Sequence, residues 1–184
     1  QLENSEIIVG VDFTDNTRVN QILKNENANS FLLYPGKESF NLSTGQSSEM
    51  NSLMGNNPHL FILDGTWPCA RKMLKLSKNL QALKRISFDN KIQSKFFIKQ
   101  QPEPLCLSTI ESVYTVLNLL KKGNFEQCET ENFLTPFKKM IDYQLEHIKN
   151  PTNKNYYSTD QQEITPKRMY KKSHDRNVIF EPKR

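Results

Sequence analysis

The sequence predicts an α/β fold, a largely parallel sheet covered by helices on both faces. Two observations carry that expectation. Short apolar runs at residues 6–13 (EIIVGVDF), 31–34, 60–63 and 84–88 have the length and composition of buried strands, and segments of helical spacing fall between them. Parallel neighbours need a crossover connection, so strands separated by helices argue for parallel pairing. A third observation locates the chemistry. The run Leu60–Leu63 is followed by the turn Asp64-Gly65-Thr66-Trp67 and then by a Pro-led helix. In an open α/β sheet, ligands bind beyond the carboxyl ends of the strands, where this acid, hydroxyl and indole would sit.

Taken in order, residues 6–13 read as a first strand, after which Asp15, Asn16 and Thr17 offer caps to a short helix with Val19, Ile22 and Leu23 on one face. The run at 31–34 is a second strand and stops at Pro35-Gly36. A polar stretch, 37–48, leads to a short helix around Glu49 to Met54 and then to the strand at 60–63. From Pro68 to Leu80 the spacing predicts one helix that buries Ala70, Met73, Leu74 and Leu80, with Arg71, Lys75 and Lys78 striped along another side. Residues 84–88 and 96–98 are weaker strand candidates. Ser108-Thr109-Ile110-Glu111 fits the S-x-x-E capping box, and Ile110, Val113, Tyr114, Leu117 and Leu120 then repeat at helical spacing up to Gly123. Read plainly this is a well-capped helix start; read more sharply, its free backbone N–H groups hold a ligand carboxylate. A last helix opens at Thr135-Pro136, carries Phe137, Met140, Ile141, Leu145 and Ile148 on one face, and stops at Asn150-Pro151.

At 184 residues the chain is long enough for one domain with a real core, residues 1–150, followed by a tail, 151–184. The formal net charge is +5, and the tail, with eight Lys/Arg against four Asp/Glu, holds most of the excess. Tyr156, Tyr157, Tyr170 and Phe180 are scattered among those charges. Such a segment is open to three readings that the sequence does not rank: disorder, packing across the domain, or following a nucleic-acid strand by charge and stacking. No apolar run approaches the ~20 residues that span a membrane, and three widely spaced cysteines, Cys69, Cys106 and Cys128, suit a reducing compartment and offer no metal-ligand spacing. The expectation is a soluble, cytoplasmic, monomeric protein without a metal. The six glycines are all far apart, so the sequence holds neither G-x-G-x-x-G nor a P-loop, and G-x-S-x-G and H-E-x-x-H are missing too. These absences argue against a Rossmann dinucleotide site and against nucleotide-triphosphate hydrolysis.

Asp64-Gly65-Thr66-Trp67 followed by Ala70-Arg71-Lys72-Met73-Leu74, with Tyr34-Pro35-Gly36 upstream and Gln101-Pro102 and Leu107-Ser108-Thr109-Ile110-Glu111-Ser112-Val113 downstream, closely resembles the DTW-domain proteins. The resemblance runs from about Glu6 to about Ile148. It implies a SPOUT-like fold with a C-terminal trefoil knot, S-adenosyl-L-methionine as donor, and transfer of its 3-amino-3-carboxypropyl group to N3 of a uridine in tRNA. Two departures accompany it. Family members usually carry an N-terminal cysteine-rich segment before the first strand seen here, and this chain starts after it. Lys99 stands where many relatives have Arg, which would remove a bidentate grip on a carboxylate or phosphate.

Joined to the residue chemistry, the resemblance assigns roles. Asp64 would take the uridine proton, or else cap the next helix. Trp67 would stack on the uracil or face the sulfonium, or else fill the core. Thr66 would cap the helix that follows. Pro35, Gly36, Leu63, Gly65, Leu107, Ser108 and Thr109 would surround the adenosyl group, and Arg71, Lys75, Lys95 and Lys99 are candidates to meet phosphates, each of these four being more readily read as a surface charge. Two other classes remain open on the residues: a SPOUT-type RNA methyltransferase using the same donor, and a non-catalytic RNA-binding module.

Overall fold

The computed structural model describes residues 4–91, 93–96, 105–125 and 127–149; the side chains of residues 47, 148 and 149 are left aside. The basic tail from 151 onward, Lys99 and the expected strand residues 97 and 98 lie outside the described residues. Four strands form one sheet: β1 (Asn29–Leu33), β2 (Phe40–Asn41), β3 (Pro58–Phe61) and β4 (Lys84–Ser87). They run in the order β2-β4-β1-β3, with every pair parallel. Among the described residues the helices are α1 (Thr17–Leu23), α2 (Ser47–Met54), α3 (Trp67–Leu76), α4 (Lys78–Gln81), α5 (Thr109–Lys122) and α6 (Thr135–Lys149). The α/β class and the parallel sheet are therefore as the alternation predicts.

Side chains alternate across a strand, so β1 feeds two cores. Leu32 and Tyr34 pack on one face with Val19 of α1, Leu74 of α3 and Leu80 of α4. Phe31 packs on the other with Met50 and Met54 of α2, Ile86 of β4 and Val116 of α5. Both faces of the sheet are thus covered, which is why Phe31 and Leu32, at successive positions of β1, are both buried and apolar. On α5 the buried positions are Glu111 and Val116, and the five apolar residues picked out by spacing are half-buried. On α6, Phe137 and Ile141 are buried while Met140 is 38% exposed.

Three expectations are overturned. Residues 6–13 form no strand; Ile7 and Val9 are 92% and 91% exposed. Their β-branched content is real, but the end of the segment is held by side chains instead of a neighbouring strand. The Phe13 N–H donates to Ser77 Oγ at 2.9 Å, the Phe13 carbonyl accepts from Asn79 Nδ2 at 2.8 Å, and the Thr14 hydroxyl donates to the Leu76 carbonyl at 3.1 Å. The same Ser77 breaks the long helix expected over residues 68–80. Fully buried, it ends α3 and opens α4, while the apolar spacing continues across the break. Phe96, expected to begin a strand, lies outside the sheet and meets the Phe137 ring at 5.4 Å between centroids.

Strand limits also shift. The run expected at 60–63 pairs over Pro58–Phe61, so Ile62 and Leu63 already belong to the exit, and β2 forms inside the stretch expected to be a polar connection. Among the described residues no helix is long and apolar enough to cross a membrane.

Candidate active site

All four strands point the same way, so their carboxyl ends share one edge of the sheet. Three of the sequence-marked turns gather there. Tyr34-Pro35-Gly36 leaves β1, and its geometry is fixed by Ser39, whose N–H and hydroxyl both reach the Gly36 carbonyl, at 3.2 and 2.7 Å. Leu63-Asp64-Gly65-Thr66 leaves the neighbouring β3, whose register pairs Leu32 with Phe61. The third turn, Leu107-Ser108-Thr109, is tied to the exit of β4 on the other side of β1, because Asn90 Nδ2 donates to the Leu105 carbonyl at 2.7 Å. Along the edge the order is therefore the α5 turn, the Pro35-Gly36 turn and the Asp64 turn.

In the Asp64 turn, Thr66 holds the cap position of α3 but its side chain makes no capping hydrogen bond. Asp64 stands two residues before that cap and is exposed, so neither side chain is consumed in starting the helix. Trp67 is the first helical residue and is half-buried. Pro68 follows it, where a missing N–H costs the helix nothing. Arg71 and Lys75 project from α3 as exposed cations.

At the α5 turn the carboxylate of Glu111 is the hub. It accepts from the Ser94 hydroxyl at 2.6 Å, the Lys95 N–H at 2.7 Å, the Ser108 hydroxyl at 2.7 Å and the Ser108 N–H at 2.9 Å. Burial works to raise its pKa, but these four donors prevail and hold it below the usual carboxylate range. The Ser108 side chain is thus engaged within the protein, as the plain capping reading expects, and Lys95 is brought beside the start of α5 with its ammonium exposed.

One group at this edge carries no motif signal. In the β1–β4 register Arg85 pairs with Leu32, which puts its side chain on the Tyr34 face of the sheet. Its guanidinium carbon lies 5.6 Å from the Tyr34 ring centroid. Tyr34 is 5% exposed, and burial raises its pKa against the opposing pull of Arg71 and Arg85. By contrast, a hollow of about 300 Å³ bordered by Leu23, Asn29, Asn79 and Lys84 lies at the amino ends of β1 and β4, away from all three turns.

Residues 1–145 match the DTW domain. The chain belongs to the DTW-domain family. Its DTW motif is the strand-end turn just described. Among curated proteins it is similar to tRNA-uridine aminocarboxypropyltransferase 2 of Macaca fascicularis, at 30% identity over 118 residues, 64% of this chain and 37% of that protein. The Mus musculus protein of the same name is 27% identical over 139 residues, covering 76% of this chain and 44% of that one. For the Drosophila melanogaster protein the identity is 29% over 119 residues, 64% and 43% of the two chains. The matched part of the chain thus spans less than half the length of these relatives. No solved structure matches it.

Proposed function

We propose that this DTW domain transfers the 3-amino-3-carboxypropyl group of S-adenosylmethionine to N3 of a uridine in tRNA. The observation that carries the reading is the juxtaposition of the Pro35-Gly36 and Asp64-Gly65-Thr66-Trp67 turns on neighbouring parallel strands, within a family whose relatives here bear the name tRNA-uridine aminocarboxypropyltransferase. The finer fold is proposed with it, a SPOUT-like sheet and a C-terminal knot, in a cytoplasmic enzyme.

The donor supplies an electrophilic methylene on a sulfonium. Asp64, exposed at the strand end, accepts the N3 proton as the uracil nitrogen forms its bond to that methylene; the carbon–sulfur bond breaks with its electron pair on sulfur, giving neutral 5′-methylthioadenosine. Trp67 stacks on the uracil and holds it in line. Pro35, Gly36, Leu63, Gly65 and the Leu107-Ser108-Thr109 turn border the adenosyl group, and Arg71, Lys75 and Lys95 face tRNA phosphates with Lys99.

Incubation of the chain with S-adenosylmethionine and unmodified tRNA tests the reading. The expected products, by mass spectrometry, are 5′-methylthioadenosine and a uridine heavier by the aminocarboxypropyl group. S-adenosylhomocysteine with a methylated nucleoside would make the protein a methyltransferase on the same scaffold. Binding of tRNA with no turnover, in this chain and in a version extended to the length of its relatives, would leave a non-catalytic RNA-binding module.

A further inference from the structure

The proposed transfer needs a grip on the amino-acid arm of the donor that presents its methylene, and not its methyl, to the nucleophile. That arm ends in a carboxylate, and a carboxylate removed from water requires a cation or several N–H donors. One candidate anchor is the start of α5, but there the Ser108 hydroxyl and N–H are both given to Glu111. Negative charge is already present at that helix end.

The cations around Tyr34 are placed differently. Arg85 rises from β4 on the Tyr34 face, and its guanidinium runs beside the Pro35-Gly36 turn: a β-carbon added to Gly36 would come within 3.0 Å of Arg85 Nη1. The glycine therefore leaves the room in which the guanidinium lies. The charge of Arg71, on α3 one turn beyond Trp67, also works to lower the Tyr34 pKa, as that of Arg85 does. Among the described residues the sole ion pair joins Arg18 to Glu6, so neither of these arginines has a carboxylate at ion-pair distance. The Arg85 guanidinium thus lies over the Tyr34 ring at the β1 exit, the Arg71 charge acts on the same tyrosine, and neither is in an ion pair among the described residues. Arg85 is half-buried, so a charge opposite it is less screened than one on the open surface, and its planar fork matches a carboxylate with two parallel N–H donors.

We infer that Arg85, with Arg71 at the rim, anchors the carboxylate of the donor's amino-acid arm and so turns the methylene, and not the methyl, toward the uridine. The inference rests on the transfer reading above. It makes Arg85 a binding residue that sets which carbon is attacked.

Calorimetric titration of the 184-residue chain with three nucleosides tests it: S-adenosylmethionine, its decarboxylated analogue, and 5′-methylthioadenosine, which lacks the arm. For Arg85→Gln the expected result is an S-adenosylmethionine affinity weakened about tenfold to a hundredfold, the range for losing a charge-assisted pair, with the affinity for 5′-methylthioadenosine unchanged. The decarboxylated analogue should bind the unaltered chain weakly and be indifferent to Arg85→Gln. Arg85→Lys should recover part of the loss, and Arg71→Gln should show a smaller one, its charge being more exposed. Equal weakening of all three nucleosides would make Arg85 a structural residue and overturn the inference. So would an unchanged S-adenosylmethionine affinity accompanied by weaker tRNA binding, which would make it a phosphate contact. If the unaltered chain binds the analogue as tightly as S-adenosylmethionine, this inference falls alone; if none of the three binds, either to this chain or to a version extended to the length of its relatives, the transfer reading falls with it.

Discussion

At the scale of single residues, the chemistry asked of Asp64 is testable because the side chain has no visible structural duty. The cap position of α3 belongs to Thr66, and Asp64 is exposed. Asp64→Asn is expected to keep S-adenosylmethionine binding and the thermal midpoint while turnover falls by the ~10²–10⁴ typical of a lost general base. Near-normal turnover would remove the role. Ser77 makes the opposite case, a residue with structural duty and no exposure. Its hydroxyl is the acceptor for the buried Phe13 N–H, and Ser77→Ala leaves that donor unpaired. Chemical denaturation should show a loss of about 1–3 kcal/mol. How legible each of these was differs. Asp64, Trp67 and the Pro35-Gly36 turn stand out as residue types at telling positions. Ser77 does not, because a small polar residue inside a helical apolar pattern looks like a solvated position until its partner, Phe13, is brought from far along the chain. Arg85 was likewise invisible: one arginine in a strand has no spacing to read.

At the scale of elements, the helices were read well where local signals suffice. The capping box of α5, the Thr135-Pro136 start of α6 and the Gly123 stop depend on neighbours a few residues away, and each stands where the pattern puts it. Residues 6–13 failed for the complementary reason. Strand formation needs an edge to pair with, which propensity does not supply, and the bonds from Phe13 to Ser77 and Asn79 held the segment elsewhere. The α5 start also yields a pH prediction. The Glu111 pKa lies below its ordinary 4.5 because four donors favour the carboxylate in the fold. A depressed pKa contributes stability that is fully present above the unfolded value and is lost as pH falls through the folded one. Thermal midpoints of the unaltered chain and of Glu111→Gln should therefore differ most at neutral pH and converge as the solution is taken well below pH ~4. A constant gap down to strong acid would show that the carboxylate's charge is not what the four donors stabilise.

At the scale of the whole molecule, the charge distribution sets expectations for RNA binding. The sequence from Pro151 onward carries eight basic and four acidic residues, so most of the net +5 lies beyond α6. If that segment follows the RNA backbone, a chain ending at Asn150 should bind tRNA with a shallower salt dependence. The log–log slope should fall by about 0.9 per lost contact on duplex and about 0.7 on single strands. An identical slope would assign phosphate binding to the body of the domain, where Arg71, Lys75 and Lys95 are exposed. The class of fold was open to reading because alternation of strand and helix is a global pattern. The strand order β2-β4-β1-β3 was not, since register and neighbours are decided by which faces α2, α3 and α5 cover.

The all-parallel sheet has a consequence for time as well as for shape. Asn29 must find Pro58, and Phe31 must find Lys84, before β1 has both neighbours, and among the described residues no hairpin begins the pairing. Long loops have to close first, which slows assembly of such sheets relative to hairpin-based ones. The strand-end turns come together only when that closure succeeds, so the edge that carries them is among the last parts of the molecule to exist. Trp67, the single tryptophan, sits in that edge. Its fluorescence during refolding should consequently trail the recovery of helical circular dichroism, letting one native side chain time the birth of the site.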